Sequence, residues 1–408
     1  MVDLLDRISE LPLSDADAEF RDEVRTWLDE HLVGEFRDQV HRGGPDDDDN
    51  WDLRRAWEAE LATGGWLGLS WPRIYGGREA TMSQELVFAM EYARAGAPPR
   101  AAFHGETLMA PAALAHGTDE QKRRLLPPMA RGEVVWCQGY SEPEAGSDLA
   151  NVACRARREG DEWVVSGQKI WTTFAQHADW IFAIVRTEPG SVRHAGLSYM
   201  LIPLDQPGVE VTPIRTMLGD SGFNSVFFDG ARTSADNVLG AQGAGWTAAM
   251  TTLGHERATS VLNYQFSFVR EMRELLALAQ RRGISEDAVL RDRLIDAYIG
   301  LQIMGYNNMR SLTRALTDGE FGSEASIGKY YWSRWHQSFT ELAMDILGPD
   351  SLLGTSWATG PDDVSSGIRR AFVRARAETI YAGTSEIQKN IISERVLGMP
   401  REPKPGRP

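Results

Sequence analysis

Cysteine is scarce: Cys137 and Cys154 are the two in 408 residues, too few for a disulfide framework or a Cys-rich metal site. A reducing, cytoplasmic setting is therefore expected, and no metal site. Long apolar runs are missing as well; no stretch approaches the roughly 18 residues that a membrane span needs. The opening "MVDLLDRISELPLSDADAEF" is acidic and broken by Pro12, without the basic start and apolar run of a signal peptide. Positive charge is in deficit, 58 Asp and Glu against 43 Lys and Arg, and the formal net charge of -15 argues against a general affinity for nucleic acid or an anionic membrane surface. What the chain does have is 42% hydrophobic content over a length that suggests two or three domains around a large core.

Periodicity divides the sequence. From about Asp15 to Ala130 the pattern is helical: "DADAEFRDEVRTWLDEHL" spaces Phe20, Val24, Trp27 and Leu28 as one helix face, with acidic residues in the first turn where the helix dipole favours them. The acidic run "GGPDDDDN" reads as a solvated connection, because adjacent Asp side chains point in different directions. A further helix follows "GTDEQKRRLL", capped by Thr118 or Asp119. Between Val134 and Leu239 short segments rich in Val, Ile, Phe, Tyr, Thr and Trp, separated by Gly, Pro, Asp or Asn, predict an antiparallel sheet or barrel. Trp246 to Arg282 then reads as one long helix closed by Gly283, with at least three more helices to Gly398. The expected fold is α+β: an N-terminal helical domain over 1–130, a central antiparallel β domain over 131–242, a C-terminal helical bundle over 243–400 and a flexible tail over 401–408.

Two stretches carry chemistry. "GYSEPEAGSDLA", from Gly139 to Ala150, crowds small and hydroxyl residues into a turn where backbone N–H groups, Ser141 and Ser147 can approach a ligand closely. Alone, it is an ordinary Gly/Ser turn. "GQKIWTTFAQHADW" sets an aromatic plane, Trp171, beside the hydroxyls of Thr172 and Thr173. A strand Trp with neighbouring Thr is usually packing.

Together with "LGHERA" and with "ETIYAGTSEIQKNIISERVLG" near the C-terminus, these stretches resemble the acyl-CoA dehydrogenases, and the helix, sheet, helix order agrees along nearly the whole chain. The resemblance implies FAD as cofactor. It puts Gln138, Tyr140 and Ser141 at the pyrimidine side of the flavin, Ser147 near the pyrophosphate, Trp171 on the ring, Thr172 and Thr173 beside N5, and Gly146, Thr384 and Glu386 in contact with the cofactor. The implied reaction converts an acyl thioester to its 2,3-enoyl form: one group removes the α-proton while flavin N5 takes the β-hydride, and donors steady the thioester oxygen as enolate charge develops.

Many members carry the base immediately before the Gly-Thr pair, where this chain has Ala382. A methyl group removes no proton, although the Ala382 N–H can still serve the thioester oxygen. A minority, including isovaleryl-type members, place the base on the first long helix after the sheet, immediately before an Arg; here the matching pair is Glu256 and Arg257. On that helix Ala249, Leu253 and Ser260 share a face with Glu256, surroundings that desolvate a carboxylate and raise its proton affinity. An arbitrary Glu-Arg dipeptide would be read as a structural ion pair; the missing carboxylate at 382 favours the catalytic role. His255 reads as a packing or hydrogen-bonding residue.

The sequence departs from the family where members reach across a dimer to hold a neighbour's ADP moiety. "AQRRGISEDAV" lacks the usual Arg-x-x-Phe-Gly, leaving Arg281 or Arg282 to compensate, and "AMDILGPDSLLG" puts Asp345 and Pro349 where Gln and Gly are expected. An Asp repels a pyrophosphate and a Pro removes a donor. The expected assembly is thus a homodimer or homotetramer that holds its flavin differently, or a heteromer with a related subunit, with acyl-CoA or another acyl thioester as substrate and an electron-transfer flavoprotein as acceptor. Two alternatives are a flavin oxidase or monooxygenase of the same fold and a noncatalytic partner subunit.

Overall fold

A computed structural model describes residues 13–39, 50–318, 322–352 and 364–401; the side chains of 256–263, Ser285, Asp318 and Val364 lie outside the described set. So do most of the acidic run near residue 45 and the tail beyond 401. Among the described residues five α-helices come first: α1 (Asp15–His31), α2 (Trp51–Thr63), α3 (Met82–Ala95), α4 (Ala110–His116) and α5 (Asp119–Ala130). α1 buries Phe20, Val24 and Leu28 as its spacing predicts, with Asp15 and Asp17 in the first turn. Thr118 caps α5 through a reciprocal pair with Gln121, each side chain meeting the other's backbone N–H.

Eight strands follow: β1 (Trp136–Gly139), β2 (Arg155–Glu159), β3 (Glu162–Thr173), β4 (Trp180–Arg186), β5 (Leu197–Pro203), β6 (Val209–Ile214), β7 (Phe223–Ser234) and β8 (Val238–Leu239). They form one sheet in the order β6-β7-β3-β2-β4-β5-β8, with β1 beside β4. The sheet is antiparallel except where β4 receives β1, and one residue pair of β2, in parallel. The side-chain pattern of a strand fixes which residues face inward but not the direction of its neighbour, so the sequence could not announce these pairings. β4 shows the two-residue period at work. Phe182 and Ile184 join a core with Leu108, Leu126 and Met129, while Ile181, Ala183 and Val185 join another with Trp163, Val226 and Phe228.

Among the described residues four long α-helices and a short one follow: α6 (Gly245–Arg281), α7 (Ala288–Asp318), α8 (Ala325–Leu347), α9 (Val364–Glu378) and α10 (Ser385–Ile391). Gly283 adopts φ +67 just after α6, a left-handed stop that a side chain would strain. Among the described residues, 20–88 and 95–256 form one compact unit, and 257–401 with 89–94 and the residues up to 19 form another. The second unit's core is a helical stripe: Phe268, Met272, Leu275 and Ala279 of α6 pack with Leu301 and Met304 of α7 and with Trp332, Phe339 and Ile346 of α8. Each fully buried aromatic or large aliphatic side chain there contributes about 1.5–3 kcal/mol.

Candidate active site

In the first unit, the 139–150 turn is tied to β3 by a buried ion pair. Lys169 is fully enclosed, and its ammonium donates to Glu142 Oε1 (2.8 Å), to the Tyr140 carbonyl (3.1 Å) and to the Ile184 carbonyl (2.7 Å). Glu142 in turn accepts from the Ala153 (2.6 Å) and Cys154 (3.0 Å) N–H groups, and Glu142 and Ala145 exchange two backbone hydrogen bonds that close the turn. Two carbonyls and one carboxylate use all three ammonium protons, so neither charge is stranded. Gln138 is half-buried on β1, Tyr140 is buried, Ser141 is half-buried, and Gly146 and Ser147 are exposed at the tip.

The end of β3 carries a one-residue bulge. Lys169 pairs with Val226 and Thr172 with Asn224, so Ile170 and Trp171 share a single opposite residue. Trp171 takes φ +61, and its ring stands 58% exposed, braced edge-on by Phe223 at 6.2 Å. Thr172 points the other way, fully buried, its hydroxyl without a hydrogen-bond partner among the described residues. Thr173 is half-buried opposite Phe223.

In the second unit, the chain leaves α9 into a left-handed pair, Ala382 at φ +52 and Gly383 at φ +87. Thr384 then caps α10 by accepting from the Ile387 N–H at 3.2 Å, and the Gln388 amide donates back to the Ala382 carbonyl at 2.9 Å. A cleft of about 250 Å³ opens beside this turn, lined by Tyr330, Arg334, Thr379, Thr384, Glu386 and Lys389. Arg334 and Lys389 outnumber the single carboxylate, Glu386, and with the hydroxyls of Tyr330, Thr379 and Thr384 they suit an anionic ligand.

The long-helix residues divide. Ala249 is buried and Leu253 half-buried on α6, and exposed His255 hydrogen-bonds the Thr251 carbonyl at 3.0 Å. Glu256 and Arg257 lie on α6 in the stretch whose side chains are outside the described residues, as does Ser260. Arg281 is exposed at the end of α6, whereas Arg282 donates to the Leu347 carbonyl (2.8 Å) and pairs with Asp350. Asp345 is not a bare repulsive charge; Arg293 pairs with it at 2.7 Å.

Comparison with known proteins decides the family. Three domain descriptions match in succession: acyl-CoA dehydrogenase, N-terminal domain, over 14–133; middle domain, over 137–231; and C-terminal domain, over 243–397. The chain belongs to the acyl-CoA dehydrogenase family. It is similar to acyl-CoA dehydrogenase IpdE1 of Mycobacterium tuberculosis, 46% identical over 95% of this chain and 98% of that one, and equally to IpdE1 of Mycolicibacterium smegmatis, 46% identical over 95% and 98%. Among solved structures it resembles the Tcur3481-Tcur3483 steroid ACAD (TM-score 0.84, 29% identity, 96% of this chain and 100% of that one). It also resembles the ChsE4-ChsE5 complex from Mycobacterium tuberculosis (TM-score 0.81, 30% identity, 96% and 100%).

As an acyl-CoA dehydrogenase the chain is an FAD-dependent oxidoreductase that dehydrogenates an acyl-CoA, and among its described residues no helix is long and apolar enough to cross a membrane. Within the first unit the residues present fit that cofactor's ring: the exposed Trp171 indole offers a planar face, with half-buried Thr173 two residues on. The sequence reading missed Lys169, Glu142, Arg334 and Lys389. A lysine amid the apolar β3 run was the one available signal; its partner lies 27 residues away, beyond any local pattern.

Proposed function

We propose that Glu256 removes the α-proton of an acyl-CoA, with Arg257 beside it, while the Ala382 N–H steadies the thioester oxygen. Bound FAD would accept the hydride leaving the β-carbon. The supporting observation is the turn itself: at 382 the chain has a methyl side chain on a left-handed residue, which can offer a backbone N–H but no base. Buried Ala249 and half-buried Leu253 upstream on α6 support a desolvated setting for the carboxylate. In the first unit Gln138, Tyr140, Ser141, Gly146, Ser147, Trp171 and Thr173 would contribute cofactor contacts, while Thr172, fully buried and turned away from Trp171, would brace the strand; in the second unit Thr384, Glu386 and Arg281 are the candidates. The test is Glu256→Gln. Anaerobic flavin bleaching by an acyl-CoA panel should slow by about 10³-fold or more with FAD retained; normal bleaching would remove Glu256 from the role.

An electron-transfer flavoprotein is the proposed acceptor. Slow reoxidation of the bleached flavin in air fits a dehydrogenase, whereas rapid peroxide formation would favour the oxidase alternative. For assembly, we favour a heteromer with a related subunit over a homo-oligomer. The charges at 345 and 350 are answered within this chain by Arg293 and Arg282, which leaves less for a neighbour's cofactor. The Tcur3481-Tcur3483 and ChsE4-ChsE5 relatives are themselves two-component assemblies. Full FAD occupancy of the chain expressed alone would overturn this; binding of neither FAD nor acyl-CoA even with a partner present would overturn the enzyme reading and leave a noncatalytic subunit.

A further inference from the structure

His336 interrupts the apolar stripe of α8 between Trp332 and Phe339, where a leucine would pack without penalty. It is buried, with the Phe268 ring 4.3 Å away and the Phe339 ring at 6.2 Å. Both ring nitrogens meet carboxylates: Nδ1 lies 2.8 Å from Glu378, the last residue of α9, and Nε2 lies 2.8 Å from Glu271 of α6. Carboxylates only accept, so both nitrogens must carry protons to satisfy them; a neutral ring would set a lone pair against one carboxylate. The cation thus joins three helices at one point.

That point adjoins the turn at 382. Lys329 of α8 donates to the Glu378 carbonyl (2.5 Å) and lies over the Tyr381 ring (5.6 Å), while the Ser385 N–H returns to the Thr379 carbonyl (3.0 Å). Three residues separate the clamped Glu378 from Ala382, too few for slack. The charged groups around the imidazole are Glu271, with Glu274 behind it paired to Arg270 (3.8 Å), Glu378, and Lys329; Arg376 is turned to Glu341 (2.7 Å). Burial alone would depress the His336 pKa, but the two carboxylates outweigh it and push it up to about 9.

We propose that His336 is a positioning residue: bridged to Glu271 and Glu378, it locks the end of α9, and with it the left-handed Ala382–Gly383 turn, in the geometry that presents the Ala382 N–H. The role assigned to that N–H rests on the proposed function. The clamp itself does not, and its test uses no substrate.

Hydrogen exchange of the peptide spanning 379–388 is measured on the FAD-loaded protein from about pH 6.5 to 9.5, corrected for intrinsic base catalysis. Wild type should stay protected to about pH 8 and lose protection by about tenfold as His336 loses its proton near pH 9. His336→Gln should exchange about tenfold faster at neutral pH and show no step. Should that variant fold poorly, Glu271→Gln keeps one bridge and should move the step to lower pH. Unchanged protection in His336→Gln, an unmoved step in Glu271→Gln, or an equal loss across 325–347 would each overturn the proposal. Failure of flavin bleaching with the clamp intact would indict the catalytic reading instead.

Discussion

Two segments stand where the sequence expects the cofactor, the 139–150 turn against the sheet and the 379–384 turn against the bundle, and each is fastened by a buried cation. The fastenings differ in balance. Lys169 answers one carboxylate and fills its remaining donors with carbonyls, so the site is neutral and closed. His336 answers two carboxylates, so negative charge is in excess and the proton that balances it is withdrawn as pH rises towards about 9. One anchor is built to stay; the other is conditional.

The largest effect expected from breaking this comparison comes at the permanent anchor. Lys169→Met strands the buried Glu142 carboxylate, and thermal unfolding should show a loss of ~3–5 kcal/mol, much of it restored by the double change Lys169→Met/Glu142→Met. A loss under about 1 kcal/mol would deny the pair any anchoring role.

The conditional anchor predicts a pH profile. Because the folded protein holds the His336 proton more tightly than the unfolded chain, the contribution is complete below about pH 6.5 and lost as pH rises to about 9, worth roughly 3 kcal/mol in all. Denaturant titrations across that window should show the decline in wild type and a flat response in His336→Gln. An identical slope in both would assign the decline to other groups.

Smaller effects separate ligand contacts from fold contacts. Trp171→Ala removes an exposed ring and should change stability by less than about 0.5 kcal/mol while weakening FAD binding by about tenfold, read by fluorescence titration. Equal loss of stability would mark the indole as packing. Ala382→Gly should stabilise by about 0.5–1 kcal/mol by relieving a left-handed alanine and leave the rate of flavin bleaching within about twofold. A larger rate loss would give the methyl group a role that a backbone N–H does not explain.

The order of elements was legible because helical and strand periods are local. α1 with Phe20, Val24 and Leu28, the cap at Thr118, and the long helix ending before Gly283 all appear where the residues predict them. What was not legible depends on partners distant in the chain. Glu142 and Lys169 are 27 residues apart, and His336 lies 42 and 65 residues from its two carboxylates, so no spacing within one element announces either anchor. The same holds for the parallel seam between β1 and β4. The outward stance of Trp171 comes from a bulge, which a two-residue alternation does not anticipate. Asp345 reads as a repulsive charge until Arg293, 52 residues earlier, is found against it.

The bulge at Trp171 also bears on how a ring would be greeted there. The direction of the indole is set by a left-handed backbone residue inside a paired strand, not by a choice among loop conformers, and Phe223 props one edge. The strain, roughly 1 kcal/mol, is met when the sheet forms. A planar molecule arriving later finds a stiff plate with two side-chain torsions left to still, so little disorder has to be surrendered at the moment of contact.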